Sequence, residues 1–157
     1  MNPMLIREAT ESDAMGIAEV LRDISELRSL ADMTVEQTRA RVIAALASAV
    51  ASPASTVLVA VAGDGAIAGY CSAHWAPFLF FEGPEAYISE LFVRQRDRNA
   101  GVGSALLEEI ERRARRHGCS RLSLLNSRHS EAYRRGFYAR RDWQERDRMA
   151  NFILPLE

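Results

Sequence analysis

One short segment, residues 98–104, constrains the fold more than any other part of the chain. It reads Arg-Asn-Ala-Gly-Val-Gly-Ser and lies between a strand-like run that ends at Val93 and a helix-like run that begins at Gly101. The first turn of a helix exposes unpaired N–H groups at the positive end of the helix dipole. Gly101 and Gly103 lack Cβ atoms, so the backbone can approach an anion closely. The segment therefore predicts a strand–turn–helix unit that binds phosphate, with Arg98 adding a positive charge.

Two well-known phosphate-binding motifs do not fit this segment. A P-loop requires Gly-Lys followed by Ser or Thr, and the chain contains no lysine. The dinucleotide fingerprint requires a third glycine at position 106, where this chain has Leu106. A pair of glycines alone also fits an ordinary turn, so the elements on either side must support the phosphate-binding interpretation.

Composition is typical of a globular protein with one domain over residues 1–157. The chain is 48% hydrophobic and 26% charged, and it is long enough to enclose a sizeable core. No apolar signal segment follows Met1, and no apolar run is long enough to span a bilayer. Cys71 and Cys119 lack metal-ligand spacing. We therefore expect reduced thiols, no bound metal, no membrane partner and a cytoplasmic location.

Charge is unevenly distributed along the chain. Residues 1–89 contain 5 arginines and 11 acidic residues, whereas residues 90–157 contain 15 arginines and 10 acidic residues. An acidic half and a basic half suggest two partners of opposite charge, although two differently solvated surfaces explain the asymmetry more simply.

Hydrophobic periodicity predicts the order β-α-α-β-β-β-α-β-α-β-β. This order indicates an α/β (α+β) fold with a mixed, mostly antiparallel central sheet flanked by helices. The predicted elements are a strand at 4–9, a helix capped by Thr10 or Ser12, a helix from Thr34 to near Pro53, a hairpin of 56–61 and 67–75 around Gly63-Asp64-Gly65, a strand at 86–93, a helix at 101–117, a strand ending at Asn126, a helix at 130–138 and a closing strand pair within 143–154.

Two stretches together resemble the GNAT superfamily of N-acetyltransferases. They are Ile88 to Val93 followed by Arg98-x-x-Gly101-x-Gly103-Ser104, and Asn126 followed by Glu131-Ala132-Tyr133, Gly136-Phe137-Tyr138 and Asp142-Trp143. The resemblance covers nearly the whole chain and implies a GNAT-like fold. The sequence departs from the family pattern at Asn99 and Ala100, and at Asp142-Trp143, where the family usually has Gly-Phe.

The resemblance implies acetyl-coenzyme A as the acetyl donor. Backbone amides of Leu91, Phe92 and Val93 would then bind the pantetheine arm. The pyrophosphate would lie on the amides of Gly101, Val102, Gly103 and Ser104, with Arg98 nearby. Phosphates also suit a helix N-terminus flanked by arginines. Asn126 would bond to a pantetheine amide, although a strand-ending turn residue is an equal alternative.

Acetyl transfer to an amine needs a proton acceptor for the amine, a donor for the developing oxyanion and an acid for the leaving thiolate. Tyr138 is the candidate acid because its phenol is protonated at neutral pH; the alternative is a core tyrosine packed against Trp143. Glu90 is the candidate base, acting through a water. Strand alternation turns Glu90 away from the Leu91 face, and its alternative role is a structural ion pair with an arginine. A backbone N–H near Leu91 or Phe92 would face the oxyanion.

The acceptor site is less defined. Five aromatic residues around a proline-bounded loop either wall an acceptor pocket or form a dimer contact or satellite core; they are Trp75, Phe78, Phe80, Phe81 and Tyr87. Glu82 and Glu85 could attract a cationic acceptor. His74 either lines that site or is a satisfied structural histidine.

We therefore expect an N-acetyltransferase that moves an acetyl group from acetyl-coenzyme A to a primary amine of a small molecule or peptide by direct attack. Peptide N-termini, lysine side chains, polyamines, aminoglycosides and small amino acids all stay open as acceptors, and so does a homodimer. One alternative is an acyl-coenzyme A sensor without turnover. Another is a nucleic-acid-binding module built on the arginines of 112–141, which the interleaved glutamates and the net charge of −1 disfavour.

Overall fold

The protein is described by a computed structural model that covers residues 4–24 and 26–156. Its regular elements are β1 (Leu5–Glu8), α1 (Ala14–Arg22), α2 (Val35–Val50), β2 (Ser55–Val61), β3 (Ile67–Ala76), β4 (Glu85–Val93), α3 (Val102–Arg116), β5 (Arg121–Leu124) and α4 (Glu131–Arg134). Short 3-10 turns occur at Glu11–Asp13, Arg28–Leu30, Gln95–Asp97 and Ala139–Arg141. The chain divides into two compact units, Met1–Leu124 and Leu125–Glu157. The single domain stays a prediction.

The five strands form one sheet in the order β1-β2-β3-β4-β5. Neighbouring strands are antiparallel except β4 and β5, which are parallel. This arrangement confirms the predicted mixed, mostly antiparallel sheet with helices. The β2–β3 hairpin also turns where expected, because Gly65 adopts a φ of 85° that favours glycine.

The main core lies between the first two helices and the sheet. Ile17 and Val20 of α1, and Val42 and Leu46 of α2, pack with Val59 and Tyr70 of the sheet. These helix residues recur at helical spacing, which gives each helix one apolar face. Helix α3 also packs against the sheet and contacts all five strands, and its residue Ala114 joins Trp75 and Ala86.

Local signals set the helix ends as the sequence predicts. At the start of α2, the Gln37 N–H donates to Thr34 Oγ1 at 3.2 Å, and the Thr34 N–H donates to Gln37 Oε1 at 2.8 Å. This capping box satisfies two N–H groups that the helix cannot. α3 stops before Gly118, whose φ of 69° ends the helix in the left-handed region.

Two predicted elements near the C-terminus are wrong. The helix expected at 130–138 extends only over Glu131–Arg134, because the chain turns left-handed at Gly136 with φ 64°. The closing strand pair within 143–154 is absent from the described residues, which continue to 156. The charged run 145–148 disfavours a strand. The apolar residues 152–154 are consecutive and lack the alternation of a half-buried strand, and all three are at least 80% exposed.

Both cysteines are free thiols. Cys71 on β3 is completely buried, and burial raises its pKa to about 12. Cys119 is partly buried beside the Trp75 cluster, which also raises its pKa. Within the described residues, no helix is long and apolar enough to cross a bilayer.

Candidate active site

Strand β4 pairs with β5 only over its first four residues. The parallel register runs from Glu85 opposite Arg121 to Ile88 opposite Leu124, whereas β3 stays paired with β4 as far as Val93. No described strand pairs with the other edge of residues 89–93. Backbone groups in this half of β4 therefore lie at a sheet edge to which an extended ligand can add. Leu91, Phe92 and Val93, predicted to bind pantetheine, belong to this edge.

β4 leads into an arginine-rich turn, residues 94–101, before α3 begins. Arg94 Nε donates to Asp97 at 2.7 Å, and Arg98 Nε donates to the Val93 carbonyl at 3.2 Å. Asn99 and Gly101 both take left-handed conformations, with φ of 63° and 84°. A Cβ on Gly101 would meet open space, so this glycine is required by its backbone angle and not by packing.

The end of this turn has the features of an anion site. Gly101 caps α3 without a side-chain hydrogen bond, and the first turn of α3 contains no acidic residue. The leading N–H groups of the helix, on Val102, Gly103 and Ser104, have no partner within the helix itself. Arg94 Nη2 is buried and lacks a hydrogen-bond partner in the described part of the chain. The N–H groups that lead a helix fit a phosphate group, and Arg94 lies in the turn that precedes them.

A cavity of about 750 Å³ lies between the first two helices and the sheet. The helices contribute a mainly apolar wall that includes Ile17, Leu21, Val42 and Leu46. The facing strands contribute polar side chains: Tyr70, Ser72, His74, Ser89 and Glu90. The cavity therefore combines hydrophobic volume with a few polar groups, as small-molecule sites commonly do.

A bulge at Ser89 turns Glu90 into this cavity. Ala73 pairs with Ile88 and Ser72 pairs with Glu90, so Ser89 is an extra residue in β4. The bulge places Ile88 and Glu90 opposite neighbouring residues of β3, which point to different faces. Ile88 is buried, while Glu90 lines the cavity. The Ser89 hydroxyl lies 3.0 Å from His74 Nε2 and donates to the Ser72 carbonyl at 3.3 Å.

Glu90 is in an environment suited to a base. Solvent reaches the carboxylate through the cavity, yet the surrounding protein desolvates it and raises its pKa above the ordinary glutamate value. Interactions with Tyr70 and His74 oppose part of this rise. Glu90 forms no ion pair with an arginine among the described residues, so the structural alternative for this carboxylate is not supported.

Tyr70 is a cavity residue that the sequence analysis missed. Its side chain is 2% exposed, and its hydroxyl has no hydrogen bond of ordinary length within the described chain. Burial and the neighbouring Glu90 carboxylate both raise its pKa. The sequence does contain a signal, because Tyr70, Ser72 and His74 alternate along β3 and therefore share a face.

Asn126 and Tyr138 belong to the second unit. Ser130 Oγ donates to Asn126 Oδ1 at 3.0 Å, which orients the amide, and Asn126 Nδ2 is buried without a described partner. The Tyr138 ring lies 5.0 Å from the Phe137 ring and 5.7 Å from the Trp143 ring, measured between centroids. The expected contact with Trp143 is therefore present, and the role of the Tyr138 hydroxyl stays a prediction.

The aromatic loop does not wall the cavity. Phe78, Phe80 and Phe81 contact one another, and Arg121 lies over the Phe81 ring at 4.4 Å. Trp75 instead stacks on His117 with ring centroids 4.5 Å apart, and it alone of the five aromatic residues lines the cavity.

Glu85 is not available to an acceptor. Its carboxylate is buried, pairs with Arg121 and accepts a hydrogen bond from Ser123 Oγ at 2.7 Å. This expectation was wrong because the parallel pairing of β4 with β5 brings Arg121 opposite Glu85. Glu82 is exposed outside the cavity.

Several arginines considered for a nucleic-acid surface are neutralised by glutamates. Arg112 and Arg113 both pair with Glu109, which lowers the pKa of that carboxyl to about 2. Pairs also join Arg115 to Glu111, Arg128 to Glu145 and Arg135 to Glu131. Such pairing weakens the positive field that phosphate backbones require.

The fold is a mixed sheet whose fourth strand is followed by an arginine-rich turn and a long helix. The profile of the acetyltransferase (GNAT) family matches residues 21–143. The chain belongs to this family, which confirms the resemblance found in its sequence.

Individual proteins are similar to this chain in sequence or in fold. Thialysine N-epsilon-acetyltransferase of Bos taurus is 27% identical over 127 residues, which cover 77% of this chain and 73% of that protein. Glucosamine-6-phosphate N-acetyltransferase of Arabidopsis thaliana has the same fold, with a TM-score of 0.75, 20% identity and coverage of 98% and 100%. A Bacillus halodurans C-125 protein described as a transcriptional regulator superposes with a TM-score of 0.85, 22% identity and the same coverage.

Proposed function

We propose that this protein transfers the acetyl group of acetyl-coenzyme A to a primary amine that enters the cavity beside β4. The observation that carries the proposal is the position of Glu90. This carboxylate lines an open cavity, and it lies on β4, whose far half has one edge that no described strand pairs with and leads into the arginine-rich turn. Membership of the acetyltransferase family supports the reaction type.

On the donor side, the open edge at Leu91, Phe92 and Val93 would hold the pantetheine arm through backbone hydrogen bonds. The N–H groups of Gly101, Val102, Gly103 and Ser104 would hold the pyrophosphate. Arg98 and Arg94 of the turn would add charge-assisted bonds, and Arg94 Nη2 has no hydrogen-bond partner among the described residues. Asn126 Nδ2 is a further unused donor, suited to an amide carbonyl of the same arm.

The chemistry needs no covalent enzyme intermediate. Glu90, acting through a water, takes a proton from the amine. The amine nitrogen then bonds to the carbonyl carbon, and a backbone N–H near Leu91 or Phe92 stabilises the oxygen. The carbon–sulfur bond breaks, the attacking nitrogen releases its remaining extra proton to solvent, and Tyr138 gives a proton to the leaving thiolate. Partial desolvation assists the first step, because a carboxylate with a raised pKa is a stronger base.

The decisive variant is Glu90→Gln, which keeps the shape of the side chain and removes the base. We expect kcat/KM to fall about 10²- to 10⁴-fold while acetyl-coenzyme A binding stays unchanged. Release of free thiol with an amine panel measures turnover, and calorimetric titration measures donor binding. The acid limb of the pH–rate profile should also disappear.

Glu82→Gln is the matched control, because Glu82 lies outside the cavity. If Glu90→Gln retains the turnover and pH profile of the Glu82→Gln protein, Glu90 is not the base. If no amine releases thiol from the unmodified protein while acetyl-coenzyme A binds, the chain is a sensor and not an enzyme.

Tyr138→Phe tests the acid. We expect kcat to fall about 10²-fold with little change in the Kd for acetyl-coenzyme A, because only departure of the thiolate loses its proton donor. Tyr133→Phe, in the same unit, is the control. A fall in donor affinity without a fall in kcat would show that the Tyr138 hydroxyl binds and does not donate a proton.

A further inference from the structure

The charges around the cavity limit which amine it can hold. Among the described residues that line it, Glu90 is the one carboxylate and Arg41 the one arginine. A monoamine brings one positive charge, which Glu90 matches. A diamine, polyamine or aminoglycoside brings at least one more positive charge, for which the described lining offers no second carboxylate and which Arg41 repels. Like charges and uncompensated burial both oppose binding.

Arg41 carries an unneutralised charge. It lies on α2 in an exposed position and forms no ion pair with any described residue. Arg39, two residues earlier on the same helix, has Glu36 within 3.8 Å and does not line the cavity. The two arginines thus differ in two respects: only Arg41 lines the cavity, and only Arg39 has a described carboxylate partner.

The helix side of the cavity, which also carries Arg41, favours an apolar ligand. Leu21, Leu27, Leu30, Val42 and Leu46 line one side, with small residues such as Ala45 and Ala49 between them. The small side chains leave room for a ligand. The leucines and the valine form an apolar surface against which an alkyl or aryl group of the acceptor can be buried away from water. Burial of such a group therefore favours binding.

Resting on the proposed function, we propose that the acceptor is a monoamine with an apolar body, and that Arg41 excludes amines with a second positive charge. Glu90 receives the single ammonium group, and the helix wall holds the carbon chain. Among the acceptor classes that the sequence leaves open, polyamines and aminoglycosides are therefore disfavoured.

Pentylamine and cadaverine test this proposal, because they share a five-carbon chain and differ in the second amine. We expect kcat/KM for pentylamine to exceed that for cadaverine at least tenfold. Arg41→Glu replaces the repelling charge with an attracting one and should reduce this ratio at least tenfold. Arg39→Glu makes the same charge change on the same helix outside the cavity, and should leave the ratio unchanged.

Calorimetric titration of both amines without acetyl-coenzyme A separates this proposal from the proposed function. Tighter binding of pentylamine without acetylation of either amine would contradict the proposed acetyltransferase activity. The same result would support the proposed preference of the cavity for a monoamine. The proposal is overturned if cadaverine binds or reacts as well as pentylamine, if neither amine binds, or if Arg41→Glu and Arg39→Glu change the ratio equally.

Discussion

The arginine-rich turn before α3 and the cavity under α1 and α2 are built in opposite ways. The turn depends on backbone angles, since Asn99 and Gly101 are left-handed and a side chain at Gly101 would touch nothing. The cavity depends on side chains contributed by separate helices and strands. The turn should therefore tolerate substitutions that change only a side chain, but not those that disfavour its backbone angles. The cavity should be sensitive to changes of its side chains and less sensitive to changes of backbone preference.

The largest effect expected from this contrast is at Gly101. Gly101→Val forces a β-branched residue into φ 84°, at a cost of about 1–3 kcal/mol. We expect the Kd for acetyl-coenzyme A to rise about tenfold or more in calorimetric titration. Ser104→Ala, which changes a side chain but no backbone preference, should bind normally. Equal affinity of both variants for acetyl-coenzyme A would contradict the claim that the turn depends on its backbone angles.

A smaller effect is expected in the cavity. Tyr70→Phe keeps the ring and removes a hydroxyl that helps to lower the pKa of Glu90. The Glu90 pKa then rises further, so the acid limb of the pH–rate profile should move to higher pH and activity near pH 6 should fall severalfold. Stability should change little, because no described group lies within ordinary hydrogen-bond distance of the lost hydroxyl, so its interaction with Glu90 is a long one.

Tyr87→Phe, on β4 outside the cavity, is the control for Tyr70→Phe. A shift of the acid limb to lower pH would show that the Tyr70 hydroxyl does not stabilise the charged form of Glu90. A loss of stability in urea unfolding above that of Tyr87→Phe would show that the hydroxyl is satisfied in solution.

The smallest effect is expected in α3, which belongs to neither region. Glu109 has a pKa of about 2 when folded, below its ordinary value of 4.5, because Arg112 and Arg113 bond to it. Its contribution to stability is present above pH 4.5 and is lost as the pH falls towards 2. Glu109→Gln should cost about 1 kcal/mol or less at pH 7.

Thermal unfolding at pH 7 and pH 3 checks the expectation for Glu109. The difference in Tm between Glu109→Gln and the unmodified protein should be a few degrees at pH 7 and smaller at pH 3. A Tm difference that is larger at pH 3 than at pH 7 would show that folding does not lower the pKa of Glu109. Turnover of this variant should be unchanged.

The same contrast explains what the sequence could predict. The turn was recognisable because its arginine, its glycines and the following helix lie within a few consecutive residues. The cavity was not, because Arg41, Tyr70 and Glu90 come from three elements and meet only after folding. Strand alternation placed Glu90 with Phe92 and away from Leu91, but it gave no sign of the bulge at Ser89 that sets Glu90 and Ile88 on opposite faces.

The C-terminal errors have a different cause. Apolar residues near 152–154 suggested a strand, but a strand also needs a partner and a face to bury, and the described segment provides neither. Gly136 looked compatible with a continuing helix, and its left-handed angle instead ended one. Local composition could not decide between these outcomes, because tertiary contacts decide them.

The burial of Cys71 simplifies the measurement of the free thiol that turnover releases. Coenzyme A is itself a thiol and is counted with a thiol-reactive dye, so reactive cysteines of the enzyme would add to the signal. Cys71 is 0% exposed, and with a pKa of about 12 it holds almost no thiolate at neutral pH. Cys119 is then the one protein thiol that can react with the dye. Mild alkylation of Cys119 before the assay removes this background signal.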